Sequence, residues 1–381
     1  MNSIKFHKQT KGIYNFSPYI YYSNEQLTKD CCLIPYMFHK HLGYRATIIT
    51  AKKEDYTYLD LLPGLEMDIL DTPLDLTEWV EMCCQYISSQ YEKIDVMFCF
   101  GAYPSHIQMV QQYKKLRPDG KVILKLDANI FWMDRIPFQD SEYQQFLSQC
   151  DVITVESKRL KKHLSQKWPY KIDYVPNGSA DLAVRKKTEY SEKENVILTV
   201  GRIGTEQKAN EILMEAFAQV AHALPQWRVK LVGGVEDAFL PYIEDFFNRY
   251  PQLRDRMIFT GKILDKQILD NEYKKAKIFV LSSVLEGGTP NVWVEAARNG
   301  CYIVCSDIDA VDEATNWGQC GKNFEINNIS QLSQVLLDVC NDESYFVQGC
   351  YDIQEYQERF FNYEKIVHKL EHLINIPSGE V

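Results

Sequence analysis

Short apolar runs alternate along this chain with stretches in which apolar residues return at helical spacing. The first half offers five strand candidates of this kind: Ala46–Thr50, Ile94–Phe100, Lys121–Asp127, Asp151–Val155 and Lys171–Val175. Helical patterns fill the intervals at Glu25–Leu42, Leu76–Tyr91, Ser105–Leu116, Phe138–Gln149 and Lys158–Trp168. In the last of these, Leu160, Leu164 and Trp168 line one apolar stripe. Such alternation predicts a parallel sheet with helical crossovers. Gly12–Pro18 reads as a plain loop, or else as a loop at the domain cleft. Val175-Pro-Asn-Gly178 is a turn signal and opens a polar, aperiodic segment, Ser179–Glu194. The first domain therefore runs over 1–176.

A second α/β series follows. Val196–Val200, Trp227–Val232, Met257–Thr260, Lys277–Leu281 and Cys301–Ser306 read as strands, with Cys301–Ser306 completing the sheet. After the first of them comes the loop Gly201-Arg-Ile-Gly-Thr-Glu-Gln-Lys208. A helix then presents Ile212, Leu213, Ala216, Phe217, Val220 and Leu224 on one face. This second domain spans 177–354. The tail is helical over Gln331–Val339 and, with many apolar residues, over most of Ile353–Ile376. The expected class is α/β, with two Rossmann-like domains; a chain of 381 residues exceeds the roughly 250–300 that one core organises.

Candidate chemistry concentrates in Leu281-Ser-Ser-Val-Leu-Glu-Gly-Gly-Thr-Pro-Asn-Val-Trp-Val-Glu-Ala-Ala-Arg-Asn-Gly300. It reads as a strand end, a turn at Gly287 and Gly288, and a helix capped by Thr289 with Pro290 in the first helical position. The amides of Asn291 and Val292 would then point outward at a positive helix end, a site suited to phosphate. Glu286 and Glu295 bracket it. A carboxylate there serves hydroxyls attached to the anion better than the anion itself, which suggests a phosphorylated sugar; the bland alternative is a capped helix with two solvated glutamates. Ligands of parallel α/β proteins sit outside the carboxyl ends of strands. The loop carrying Arg202 and Lys208 and the Gly261-Lys-Ile loop share that edge with the motif, so two cations and a helix end converge on a diphosphate. The spacing is not that of a P-loop.

Composition narrows the classes. A net charge of −10 argues against a general nucleic-acid binder. The 11 cysteines are odd in number, lie in apolar runs or as neighbours, and show no metal-ligand spacing, as expected of reduced thiols in a cytoplasmic protein. The opening MNSIKFHKQTKG lacks the apolar core of a signal peptide, and no stretch reaches the ~18–20 apolar residues of a membrane span.

The ordered set VGRIGTEQK, an amphipathic helix, LVGG, FTG and Ser-x-x-Glu-Gly…Thr-Pro-Asn-Val…Glu-Ala…Gly resembles retaining GT-B glycosyltransferases of family 4. The likeness is good from about Tyr174 to Glu325 and weaker over the first domain, where Gly43-Tyr-Arg-Ala-Thr-Ile-Ile matches the family's first helix-to-strand step. It implies two Rossmann-like domains facing a cleft, a nucleotide-sugar donor on the second, and a C-terminal helix (about 355–381) crossing back to the first. Carried over residue by residue, Arg202 and Lys208, beside Gly201, match the pair that binds the donor diphosphate. Glu286 matches the glutamate that holds donor-sugar hydroxyls, and Glu295 the one that reaches the ribose. The amides around Thr289, Asn291 and Val292, with Gly287, Gly288 and Pro290, match the phosphate cradle. Ile263 falls in the loop against the base.

Two departures stand out. Eight residues rather than seven separate the glutamates, and Asp307-Ile-Asp309-Ala310 replaces the paired glycines that often follow the Cys301–Ser306 strand. In the first domain Asp127 ends a Lys-x-Asp stretch similar to that of some members. It would hydrogen-bond a sugar hydroxyl or orient the acceptor, or else cap the turn. Phe131 and Trp132 either line the cleft or pack into the core. The basic helix Lys158–Trp168 either rests on an anionic membrane at the inner face or is a solvated helix with its leucines inward. The resulting expectation is metal-independent retaining transfer of a hexosyl unit, with Asp127, Glu286, Arg202 and Lys208 as catalytic residues and UDP-sugar the favoured donor. The acceptor is a saccharide or lipid-linked glycan, and no cofactor is needed. The alternatives are a nucleotide-sugar 2-epimerase-like isomerase and a non-catalytic paralogue acting as a partner subunit.

Overall fold

A computed structural model describes residues 10–180 and 186–376. The start of the chain, part of the polar Ser179–Glu194 segment and the last residues lie outside that range. Contacts divide the chain into two compact units. The first takes residues up to Glu156, Leu160–Val175 and those from Tyr363 onward; the second takes Ser157–Arg159 and Pro176–Asn362.

The first unit is built on β1 (Gly12–Phe16), β2 (Arg45–Ala51), β3 (Leu65–Leu70), β4 (Val96–Phe100), β5 (Lys121–Leu126), β6 (Val152–Val155) and β7 (Ile172–Tyr174). All pairings are parallel, in the order β3-β2-β1-β4-β5-β6-β7. The segment expected as a loop, Gly12–Pro18, is corrected here: most of it is β1, an interior strand buried along its whole length. A polar residue in its middle hid it. Asn15 is fully buried, but its amide donates to Cys31 O at 2.5 Å and its carbonyl accepts from Tyr22 Oη at 3.3 Å, so the polarity costs little. Gly12 is required because a Cβ there would lie 2.1 Å from Lys93 O. β3 was missed because Glu66 and Asp68 interrupt it. As an edge strand it keeps those charges outside, where Glu66 accepts from Arg45 Nε at 2.7 Å. Around the sheet pack Trp79, Tyr113, Phe146 and the buried stripe Leu160, Leu164 and Trp168. Near the carboxyl end, Lys125 is fully buried against Glu156, just past β6, and against Asp30, 3.0 Å away at the start of the helix Asp30–Leu42.

The second unit contains β8 (Glu194–Val200), β9 (Arg228–Val232), β10 (Met257–Gly261), β11 (Ala276–Leu281), β12 (Tyr302–Ser306) and β13 (Gly321–Phe324). The order is β10-β9-β8-β11-β12-β13, again parallel throughout. Cys301–Ser306 therefore does not complete the sheet. The short, polar Gly-Lys-Asn-Phe run of β13 pairs outside it, where an edge strand tolerates polarity. The tail also differs from one long helix. Helices Gly349–Phe360 and Tyr363–Asn375 are separate, broken where buried Phe361 gives its carbonyl to the Ser179 amide at 2.8 Å.

Glycines end three adjacent strands of this sheet. Gly201 N donates to Val232 O at 2.9 Å and Gly233 N to Gly261 O at 3.0 Å. Gly233 lies at φ 150, and a Cβ there would sit 1.6 Å from Gly201 O, so the backbones meet only if position 233 lacks a side chain. Gly234, next in sequence, faces open space. Gly233→Ala is expected to destabilise the protein by about 3 kcal/mol in urea unfolding, whereas Gly234→Ala changes stability by less than about 0.5 kcal/mol. Equal effects would mean that the close approach does not matter.

Candidate functional site

Parallel pairing places the carboxyl ends of all strands of a sheet on one edge. In the second unit β8 is the first strand, and the order runs away from it in both directions. The connections after β8 and β11 therefore leave to opposite sides and open a crevice between them. The loop after β8 and the loop after β11 are tied across it: Val284 N donates to Gln207 O, and Ser282 Oγ to Lys208 O, both at 2.9 Å. Lys208 Nζ meets the Glu286 carboxylate directly. Ser283 Oγ donates to the same carboxylate oxygen. Arg202, exposed, donates to Gln207 Oε1 at 3.1 Å, and the Gln207 amide donates to Leu285 O at 3.0 Å and to Glu286 at 3.4 Å. Gln207 thus links Arg202 to Glu286. It stands inside the VGRIGTEQK motif, yet a neutral amide between a cation and a carboxylate gave no signal of its own. Gly201 takes φ 152, a backbone state that favours glycine, and lies beside the Lys208 stem.

The helix of the motif runs Asn291–Arg298. Its cap is not Thr289. Pro290 is the extended N-cap residue, and the first helical residue is Asn291, because the proline's extended ψ of 123 keeps it outside the helix. Thr289 instead gives its carbonyl to the buried Asn177 Nδ2 at 2.9 Å, so the asparagine of the Val175-Pro-Asn-Gly178 turn holds this loop. Trp293 N returns to Pro290 O at 3.2 Å, which leaves the amides of Asn291 and Val292 in the first turn at the positive end. Gly288 takes φ 110, a backbone state open to glycine. Trp293, Val294, Ala296 and Ala297 are buried, while Val292, Glu295 and Arg298 share the half-exposed face. Glu295 Oε2 accepts from Tyr273 Oη at 2.9 Å. Burial, then the Glu295 carboxylate, pushes that phenol's pKa well up, so it remains a donor. Ile263, half-buried just after β10, packs on the same core cluster as Val292.

In the first unit Asp127 is half-buried directly after β5. The cap of the short helix that follows is Asn129, whose side chain accepts from Trp132 N at 3.0 Å. Phe131 and Trp132 are not core residues: they are 46% and 54% exposed, with the Arg135 guanidinium 3.3 Å from the Phe131 ring centre. In the basic helix Lys158–Lys167 the apolar stripe is used up in the core. Of its outward charges, His163 and Lys167 bond Asp134 at 2.7 and 2.6 Å. Among the described residues no helix is long and apolar enough to cross a membrane, and no group of three or more His, Cys, Asp or Glu is placed to hold a metal.

Residues 194–342 match the family described as glycosyl transferases group 1. Solved structures agree over both units. A glycosyltransferase from Rickettsia africae superposes with a TM-score of 0.75 at 16% identity, covering 97% of this chain and 100% of that one. HepE from Anabaena, in complex with UDP, gives 0.72 at 14% identity over 95% and 99%. Sucrose-phosphate synthase from Thermosynechococcus elongatus gives 0.70 at 17% identity over 95% and 98%. The fold is GT-B. No curated protein matches at the level of sequence.

Lys208 and Glu286 are 16% and 9% exposed at the side chain, so each depends on the other for its charge to be tolerated. Lys208→Met alone is expected to lower stability by about 1–3 kcal/mol, and adding Glu286→Gln to recover part of that loss. A double-mutant cycle in urea measures it. Strict additivity would show that the pair is not coupled.

Proposed function

We propose that this chain transfers a hexosyl unit from a nucleotide diphosphate sugar, a UDP-sugar by preference, to a hydroxyl of a saccharide or lipid-linked glycan, with retention at the anomeric carbon. The observation that carries the reading is the charged network across the β8/β11 crevice, where Lys208 pairs with Glu286, Gln207 links Arg202 to that carboxylate, and the helix Asn291–Arg298 begins five residues further along the chain. The family match over 194–342 supports glycosyl transfer from a nucleotide sugar. Two further observations favour UDP: HepE is solved with UDP and with UDP-glucose, and TarM with UDP and α-GlcNAc-glycerol.

In this reading the C1–oxygen bond to the donor phosphate breaks and a bond from the acceptor oxygen to C1 forms on the same face. The acceptor proton passes to an oxygen of the departing diphosphate. Lys208 and Arg202 neutralise the charge that grows on the diphosphate, with the helix amides adding directed donors. They supply the positive charge that a metal would otherwise bring. The arriving diphosphate competes with Glu286 for Lys208, which releases the carboxylate toward the sugar hydroxyls. Glu295, steadied by Tyr273, takes the ribose, and Ile263 lies against the base. Asp127 orients the acceptor. A membrane contact through the helix Lys158–Lys167 would be electrostatic, since its leucines are buried.

A panel of UDP- and GDP-sugars, assayed for nucleotide release with and without saccharide acceptors, tests the proposal. At least one UDP-sugar is expected to turn over, with kcat reduced about 10²–10³-fold in Lys208→Ala and in Glu286→Gln. Recovery of the donor as an epimer would assign an isomerase instead, and tight nucleotide binding without turnover would assign a non-catalytic partner.

A further inference from the structure

The first sheet has a reversal of its own. Its order turns at β1 and β4, so the loops after those strands part and leave a second crevice, within the first unit. What fills its edge is aromatic. Tyr19, three residues past β1, and Tyr103, three residues past β4, meet there. Their hydroxyls are 3.1 Å apart, and their rings pack edge to face at 5.1 Å and 73°. Asp127, from the neighbouring β5, lies close enough to add its charge to both phenols, whose pKa values are raised first by burial.

The surroundings hold this pair in place. Ser105 Oγ donates to Pro18 O at 2.9 Å, stapling the two loops together. His106, fully buried and pushed down to a pKa of about 4 by burial, stays neutral and gives Nδ1–H to Gly101 O at 3.0 Å. Gly101, at φ 75, makes way for Tyr103, since a Cβ there would lie 2.3 Å from the Tyr103 ring. Between Tyr19 and Tyr21 the backbone of Ile20 takes φ 57, a strained state for a β-branched residue, locked by Ala51 N donating to Ile20 O at 3.0 Å. With Ile20 in that conformation, Tyr19 and Tyr21 remain 36% and 37% exposed, although neighbouring Tyr22 is fully buried. Phe131 is a poorer platform, because Arg135 already covers its ring.

We infer that Tyr19, Tyr103 and Asp127 form a saccharide subsite at the first unit's strand reversal, taking one pyranose ring of the acceptor. Tyrosine rings offer apolar surface to the C–H face of a sugar, the two phenol hydroxyls exchange hydrogen bonds with its hydroxyls, and the carboxylate accepts from one or two of them. The inference rests on the glycosyl-transfer reading and adds residues to it: the sugar is recognised by ring contact as well as by a charge.

Saturation-transfer NMR on the whole chain, with UDP present and a panel of methyl hexopyranosides and hexose disaccharides as probes, tests it. At least one sugar is expected to receive saturation on its ring protons. Tyr19→Ala or Tyr103→Ala should weaken its binding about tenfold, and Tyr103→Phe, which keeps the ring and loses the hydroxyl, about threefold. UDP binding should be unchanged in all three, which also shows that the variants are folded. Absence of binding by every sugar in the panel, or affinities unaltered in both alanine variants, would overturn the subsite while UDP still binds. Failure of both UDP and GDP to bind the wild-type chain would instead remove the glycosyl-transfer reading.

Discussion

A lysine ammonium and a glutamate carboxylate, Lys208 and Glu286, meet where the strand order of the second sheet turns, and the loops after β8 and β11 are joined through that contact. Each charge is largely withdrawn from water, so each needs the other. The pairing brings together the two loops with the most polar chemistry in the unit. The glycines at the ends of β8, β9 and β10 serve the same arrangement, because the backbone approach of Gly233 to Gly201 fixes the loop from which Lys208 rises. In the proposed reading this pair exchanges partners: a diphosphate beside the helix Asn291–Arg298 would offer Lys208 a more highly charged partner and free Glu286 for neutral hydroxyls.

The same construction occurs in the first unit with different chemistry. Its sheet turns at β1 and β4, and a tyrosine pair stands where the second unit has an ion pair. The same unit holds a buried cluster of Lys125 with Asp30 and Glu156, drawn from β5, a helix start and the residue after β6. Removing Lys125 would leave two buried carboxylates without their cation and cost about 3–5 kcal/mol. The cluster thus joins the carboxyl ends of β5 and β6, two residues before Asp127 in the chain. The two proposals assign them different ligands: a phosphate to the ion pair and the flat face of a sugar to the aromatic pair.

Much of this was legible in the sequence where a residue type has one common use. Alternating apolar runs marked most strands, and the glycine–proline–asparagine grammar of the motif located the helix to within one residue. Arg202, Lys208 and Glu286 drew attention only as a set, two cations and a carboxylate at neighbouring strand ends, since singly each reads as a solvated charge near a turn. What escaped notice had its polarity satisfied by partners far away in sequence. Asn15 made β1 look like a loop, and with β1 went the position of Tyr19 three residues beyond it. Gln207 and Asn177 are common residues until the structure shows Glu286 and Thr289 against them. Tyr103 was one of 24 tyrosines, most of which fill space. The one-residue shift of the cap from Thr289 to Pro290 reflects the proline's extended ψ, which composition does not report.

A crystal structure of the chain soaked with UDP tests the assignment of the Lys208–Glu286 crevice most directly. The diphosphate should lie at the start of the helix Asn291–Arg298, within hydrogen-bond distance of the Asn291 and Val292 amides and of Lys208 Nζ, with Glu286 drawn off the lysine. UDP bound elsewhere, with the Lys208–Glu286 pair undisturbed, would contradict it.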